Sequence, residues 1–235
     1  MIKLVILPHA GSGAHAYRNL QNTLGPTMNS YCHDLPGHGK RASEPLVESM
    51  QPLVSDLMQQ LDFLGDEPWA IFGHSLGAWL GHALVLEREA LGLSLPVVFF
   101  ASGASAPKEH VQQQISALPT ELFWEKIRAY GLLPAEIVND QGFREYFEVL
   151  LRNDFSVVES YRPALSPLNV PLHVLYGQED MSDHQAESWC EASLKEVQRH
   201  PFDGGHFFLF DHLDGVSQLI QAVLSSVTDK HSQAT

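Results

Sequence analysis

Short apolar runs alternate with longer amphipathic stretches along this chain. A short apolar run is typical of a strand buried on both faces, whereas apolar residues at intervals of three and four indicate a helix. The runs predict strands at Ile2–Leu7, Met28–His33, Ala70–Phe72, Pro96–Ser102, Leu172–Tyr176 and Val197–His200. The amphipathic stretches predict helices at residues 15–23, 52–63, 76–90, 185–194 and 212–226. This alternation favours an α/β fold, with a mostly parallel sheet flanked by helices.

Residues 107–165 break the alternation because they contain helical patterns, at Glu121–Tyr130 and Gly142–Leu151, and no convincing strand pattern. The chain has 235 residues, which suits one buried core and is short for two. We therefore expect a single domain over residues 1–235, with a helical lid inserted at 107–165. A helical subdomain that never moves is the alternative interpretation. The polar residues 229–235 are expected to lack fixed structure.

Composition narrows the classes of function. Hydrophobic residues make up 44% and charged residues 18% of the chain, which is ordinary for a globular protein. The net charge of −14 disfavours nucleic acid as a partner. The sequence shows neither a secretory signal nor the roughly 20 apolar residues of a membrane span. Cys32 and Cys190 are too few for a disulfide framework or a zinc site. We expect a cytoplasmic protein with no membrane partner.

The sequence Gly73-His74-Ser75-Leu76-Gly77 fits the G-x-S-x-G pattern of a nucleophile turn. It follows a predicted strand and opens a predicted helix, which is the context that the pattern requires. A helix N-terminus behind the serine offers backbone N–H groups to a developing oxyanion. Ser75 is therefore the candidate nucleophile, and the N–H of Leu76 is a candidate oxyanion donor. The competing interpretation is a glycine-rich turn with an incidental serine.

The candidate base is His206, in the loop Asp203-Gly204-Gly205-His206-Phe207-Phe208 between the last predicted strand and the last predicted helix. In α/β-hydrolases the chain order is serine, then acid, then histidine, and the histidine lies in such a loop. Three rival histidines lie outside a turn of this kind: His184, His200 and His212.

The candidate acid is Asp180, four residues beyond the strand that ends at Tyr176. An acid at this place would keep the imidazole in the correct tautomer. Asp183 is the main alternative, and Glu179 is a weaker one. The second oxyanion donor is expected from the loop after the first strand, with Ala10 as the candidate.

The same loop also fits a dinucleotide-binding pattern, through Gly11, Gly13 and Ala16, with Asp34 near the spacing of a ribose-binding carboxylate. Three residues, 8–10, intervene where that pattern needs a tight turn, and no Tyr-x-x-x-Lys occurs. The interpretation as a NAD-dependent oxidoreductase would also leave Ser75, Asp180 and His206, which occur in the chain order of a hydrolase, without a role. A non-catalytic receptor on the same fold is the third class considered.

The chain resembles the type II thioesterases of nonribosomal peptide and polyketide synthesis over nearly its whole length. Six segments carry the resemblance: Leu7–Ser12, Leu35–Gly39, Gly73–Ala78, Ser102–Pro107, Leu150–Asp154 and Gly204–Leu209. Leu118-Pro119 and Tyr161 also resemble landmarks of that family's lid. The family often has Arg where His38 stands and Ala where Asn153 stands.

The resemblance implies hydrolysis of acyl thioesters on the phosphopantetheine arm of acyl or peptidyl carrier protein domains, for editing or product release. It implies no metal and no bound cofactor, since phosphopantetheine belongs to the substrate. A small-molecule carboxylesterase is the alternative. Carrier domains are usually acidic, so docking to a chain of charge −14 would need apolar contacts or a local basic patch. The candidates for that patch are Lys40, Arg41, Lys108, Lys126 and Arg128. We expect a monomer.

Overall fold

The computed structural model describes residues 2–65, 67–109, 114–131, 140–164 and 166–233. Its strands are β1 (Lys3–Leu7), β2 (Asn29–Cys32), β3 (Trp69–His74), β4 (Phe99–Ser102), β5 (Leu172–Gly177) and β6 (Val197–Phe202). They form one sheet in the order β2-β1-β3-β4-β5-β6, and every neighbouring pair is parallel. The predicted parallel sheet is confirmed, and each predicted strand lies within a few residues of its observed position.

Helices connect the strands. They are α1 (Arg18–Leu24), α2 (Met50–Gln60), α3 (Leu76–Ala90), α4 (Thr120–Tyr130), α5 (Gln141–Ser160), α6 (Asp183–Glu187), α7 (Phe208–Asp211) and α8 (Leu213–Gln233). The helix predicted at 185–194 is instead the short α6 followed by a 3₁₀ turn at Ser188–Ala192. It begins early because Ser182 and Gln185 form a reciprocal capping box.

Both faces of the sheet are covered, as expected. On β1, Val5 and Leu7 pack into the cluster that holds α2 and α3, whereas Leu4 and Ile6 pack into the cluster that holds α1 and α8. This alternation follows from the two-residue period of side chains along a strand. The last helix extends to Gln233, so the polar tail expected to lack structure is helical that far. Val227 packs against the core near its end and favours the extension.

The segment 107–165 is helical in its described parts, which contain α4 and α5 and no strand. Phe123 and Ile127 of α4, together with Leu151 and Val157 of α5, join the buried cluster. Helix α5 extends nine residues beyond the predicted end at Leu151 because this apolar pattern continues past Asp154. No helix within the described ranges combines the length and apolar composition needed to cross a membrane.

Candidate active site

Ser75 occupies a strained turn between β3 and α3. Its φ and ψ are 57° and −117°, and it is the one residue other than glycine with positive φ in the part of the chain that the structure describes. A Cβ on Gly73 would overlap the carbonyl of Gly77, and a Cβ on Gly77 would overlap the carbonyl of Leu7. Only glycine therefore fits on either side of the turn. This packing keeps the Ser75 side chain at the carboxyl end of the sheet.

The structure brings the three predicted polar residues together. The Ser75 hydroxyl lies 3.0 Å from Nε2 of His206, and Nδ1 of His206 lies 2.7 Å from Oδ2 of Asp180. Asp180 follows β5 and His206 follows β6, so both reach the same sheet edge as Ser75. Asp180 can accept a hydrogen bond from Nδ1–H of His206 while Nε2 accepts one from the Ser75 hydroxyl, which is the arrangement of a hydrolytic triad.

The rival candidates have other partners. The carboxylate of Asp183 accepts a hydrogen bond from the Tyr176 hydroxyl at 2.5 Å. His200 stacks on His173, with their ring nitrogens 2.9 Å apart. His212 bonds a backbone carbonyl in the loop before it. The geometry therefore favours the Asp180 and His206 pairing over these alternatives.

The two candidate oxyanion donors, Ala10 and Leu76, line the same cavity as Ser75 and His206. Leu76 is the first residue of α3, so its N–H has no carbonyl partner within the helix. Ala10 lies in the loop after β1, and the close approach of Gly77 to the carbonyls of residues 7 and 8 holds this loop against the turn. The arrangement can offer two N–H groups to a carbonyl oxygen attacked by Ser75.

Two histidines near the site are buried and neutral. His9 donates its backbone N–H to the Tyr17 hydroxyl at 3.1 Å, and its Nδ1 lies 2.8 Å from the same oxygen. Burial, followed by the nearby His206, lowers the pKa of His9 to about 3. Burial also lowers the pKa of His74, whose Nδ1 contacts the Ser102 hydroxyl at 2.9 Å. Burial thus favours the neutral form of both rings, which pack against the loop and the turn.

We expect the free energy of unfolding to fall as the pH drops from about 6.5 to 4. Burial lowers the pKa of His9 to about 3 and those of His82 and His173 to about 4, from an ordinary value of 6.5. The unfolded chain binds these protons first, so the stabilising effect is complete above pH 6.5 and is lost on acidification. Each group contributes on the order of several kcal/mol. Urea titrations across this range should show a shallower pH dependence for His82→Gln, and an unchanged slope would contradict the assignment.

A cavity of about 340 Å³ opens over the triad. Its apolar walls come from α3, from the segment 107–165 and from the turn after β5: Trp79, Ile115, Tyr130, Phe155, Val158 and Met181. A cavity that combines apolar walls with convergent polar groups, which here also include Glu109 and Glu159, is typical of a small-molecule or acyl site. Sequence reasoning missed these lining residues. Trp79 had a usable signal, since it lies one helical turn after Ser75.

The dinucleotide interpretation gains no support from the loop after β1. Asp34, the candidate ribose ligand, instead accepts the N–H groups of Ala14 at 2.6 Å and Lys40 at 3.0 Å. The N–H of Gly11 is donated to Asp154 at 2.7 Å. Donors that would hold a pyrophosphate are thus engaged by carboxylates, which would repel one. Within the described ranges, no three His, Cys, Asp or Glu side chains are grouped as metal ligands.

The thioesterase domain model matches residues 2–224 of this chain. The chain belongs to the thioesterase domain family. It is accordingly a hydrolase that acts on thioester bonds, and the type II thioesterase resemblance is confirmed by the relatives and structures that it matches.

Two relatives and one structure illustrate this membership. A probable cadicidin biosynthesis thioesterase of Streptomyces griseus is 28% identical over 226 residues, covering 95% of this chain and 62% of that protein. The gramicidin S biosynthesis protein GrsT of Aneurinibacillus migulanus is 28% identical over 89% of this chain and 84% of its own length. The type II thioesterase BorB from the borrelidin cluster superposes with a TM-score of 0.83 and 28% identity, covering 94% of this chain and 91% of BorB. This thioesterase thus spans less than two thirds of the length of the cadicidin biosynthesis thioesterase.

Proposed function

We propose that this thioesterase hydrolyses acyl groups from the phosphopantetheine arm of acyl or peptidyl carrier protein domains, in editing or release during nonribosomal peptide or polyketide synthesis. The observation that carries the proposal is the hydrogen-bonded series Ser75, His206 and Asp180 at a cavity with partly apolar walls. The cadicidin, gramicidin S and borrelidin relatives are named for biosynthetic pathways, and the structural neighbour ClbQ is named for the colibactin NRPS/PKS pathway, which supports the pathway class.

The mechanism follows from the roles we assign to these side chains. Ser75 attacks the thioester carbonyl while Nε2 of His206 takes the hydroxyl proton, and Asp180 stabilises the resulting imidazolium. The N–H groups of Ala10 and Leu76 hold the oxyanion. The thiolate leaves and receives the proton from His206. The acyl group remains on Ser75 as an acyl-serine. Water, deprotonated by His206, then releases the carboxylic acid and restores Ser75.

We further propose that residues 107–165 form a lid inserted in a single domain. Its inner side supplies Tyr130, Phe155 and Val158 to the cavity wall. The ring of Tyr130 lies 5.3 Å from that of His206, so the lid reaches the reacting groups. A wall of this kind can shield the acyl-serine from bulk water while leaving a channel for a long, thin phosphopantetheine arm.

The outer side of the lid is suited to carrier docking. Four large apolar side chains on α4 and α5 are exposed by about half or more: Leu122, Phe143, Tyr146 and Val149. Lys126 is exposed one helical turn after Leu122, and Arg128 is exposed on the same helix. Two of the other basic candidates already form ion pairs within the protein. Arg41 pairs with Asp56 and Glu44, and Lys108 pairs with Glu191. We therefore place docking on these exposed apolar side chains of α4 and α5, with Lys126 beside Leu122 as a cationic contact.

We expect kcat/KM to be at least about tenfold higher for acyl-carrier thioesters than for the same acyl groups on a short thiol. The reason is that docking of the carrier contributes binding energy in the transition state. The double variant Leu122→Ser and Tyr146→Ser should lose this preference and keep hydrolysis of the short-thiol substrate. Leu91→Ser is the matched control, since Leu91 is 59% exposed at the end of α3, outside the lid.

The same assay separates the proposal from a general carboxylesterase. Equal kcat/KM values for the carrier-bound and short-thiol substrates, with a matching oxygen ester hydrolysed as fast, would favour the esterase. A loss on both thioester substrates in the double variant would indicate that the two side chains stabilise the lid and do not bind the carrier.

A further inference from the structure

A buried ion pair that the mechanism does not use joins the loop after β2 to helix α5. Nε2 of His38 lies 2.9 Å from Oδ2 of Asp154, and only 2% of each side chain is exposed. The two residues are 116 positions apart in the sequence. A polar pair so thoroughly removed from water is costly unless each group is fully hydrogen-bonded.

The neighbours of His38 determine its protonation. Nδ1 lies 3.0 Å from the carbonyl oxygen of Pro36, which can only accept, so Nδ1 carries a proton. Nε2 faces the carboxylate of Asp154 and must carry a second proton to bond it. Burial by itself lowers the pKa of His38, but the hydrogen bond and charge of Asp154, together with the charge of Asp34, outweigh burial and raise it. The pair is therefore an imidazolium facing a carboxylate.

The same carboxylate holds the oxyanion loop. Oδ2 of Asp154 accepts the N–H of Gly11 at 2.7 Å, and Gly11 immediately follows the donor Ala10. Gly11 has a φ of +72°, and a Cβ there would overlap the side chain of Leu151, one turn before Asp154 on α5. Helix α5 thus contacts this loop through one charged hydrogen bond and one close packing contact.

We propose that His38 and Asp154 are positioning residues that fix the Ala10 N–H in the oxyanion hole by tying Gly11 to α5. The proposal rests on the assignment of Ala10 under the proposed function. His38 keeps the Asp154 carboxylate oriented, and Asp154 orients the peptide that follows Ala10. An oxyanion donor acts only when it points at the developing charge, so loss of the tie should lower kcat more than it changes KM.

The first test is Asp154→Ala, assayed on a short-thiol acyl thioester. Loss of one oxyanion donor costs about 10²- to 10³-fold in kcat, so a misplaced donor should cost at least about tenfold, with KM little changed. Val157→Ala is the matched control, because Val157 is buried on the same helix and contributes to the core cluster. Both variants should lower Tm, but only Asp154→Ala should lower kcat in this way.

The second test is the pH profile, which a purely structural role would leave unchanged. Asp154 and Asp34 are the charged groups that act on His38. As the pH rises through the raised pKa of His38, the ring loses a proton, its lone pair faces the Asp154 carboxylate, and kcat should decline. His38→Arg keeps a positive donor that does not titrate. It should retain more activity than Asp154→Ala and lack the alkaline decline.

Ser75→Ala provides the baseline rate, which separates the two levels of the proposal. A wild-type rate equal to that baseline would refute the serine mechanism itself. A wild-type rate far above it, with an undiminished kcat in Asp154→Ala, would refute only the positioning role. Equal losses of kcat and Tm in Asp154→Ala and Val157→Ala, or an alkaline decline retained in His38→Arg, would refute it as well.

Discussion

Ser75→Ala is expected to lower kcat for acyl thioesters by at least about three powers of ten, while the protein remains folded. The Ser75 hydroxyl is the group to which we assign attack on a carbonyl held by Ala10 and Leu76. Its loss leaves only the oxyanion donors and the binding of substrate to accelerate hydrolysis. Single-turnover assays should also show that no acyl-enzyme accumulates. His206→Ala should be similarly impaired, because the hydroxyl then has no base at 3.0 Å.

A comparison of Ser75→Ala with Ser75→Gly tests the strained turn separately from the chemistry. Both variants should be inactive. Alanine at a φ of 57° keeps the strain of the serine, whereas glycine adopts this conformation freely, so the glycine variant should be more stable by about 1 kcal/mol. Denaturant titrations give this difference. Near-normal turnover by a pure Ser75→Ala preparation would contradict the serine mechanism.

The candidate triad was predictable from the sequence because each of its members lies in a turn with local requirements. The glycines around Ser75 exist because the turn presses against the Gly77 and Leu7 carbonyls, and this need is visible as G-x-S-x-G. His206 was recognisable from its glycine-flanked loop between a strand and a helix. Parallel strands bring such turns to one edge of the sheet, so the order of the elements was enough to expect their meeting.

Contacts between distant segments left no such signal. His38 and Asp154 each lie in a segment that resembles the thioesterase family, but no pattern in the sequence connects the loop of one with the helix of the other. The cavity wall was equally hidden. Phe155 and Val158 continue an apolar pattern that serves core packing and cavity lining alike, so sequence periodicity cannot separate the two uses. Helix ends were also missed where polar residues continued the helix, as in α8.

The acid of the triad is the assignment with the nearest rival, and Asp180→Asn decides it. We expect this variant to lose about 10³- to 10⁴-fold in kcat, because an amide no longer fixes the Nδ1–H tautomer of His206 or stabilises its imidazolium. Oδ2 of Asp180 accepts a hydrogen bond from Nδ1–H of His206 at 2.7 Å. The change is nearly isosteric at a partly exposed side chain, so Tm should scarcely move.

Asp183→Asn is the matched control, three residues away in the same turn region. Its carboxylate accepts the Tyr176 hydroxyl at 2.5 Å, a contact at the base of the turn that an amide oxygen can largely preserve. We therefore expect nearly normal kcat with a small loss of stability. Normal turnover in Asp180→Asn together with a large loss in Asp183→Asn would move the acid to Asp183. Severe losses in both would mean that the Tyr176–Asp183 contact positions the turn that carries Asp180, a result that the double variant would reveal as a strongly non-additive loss.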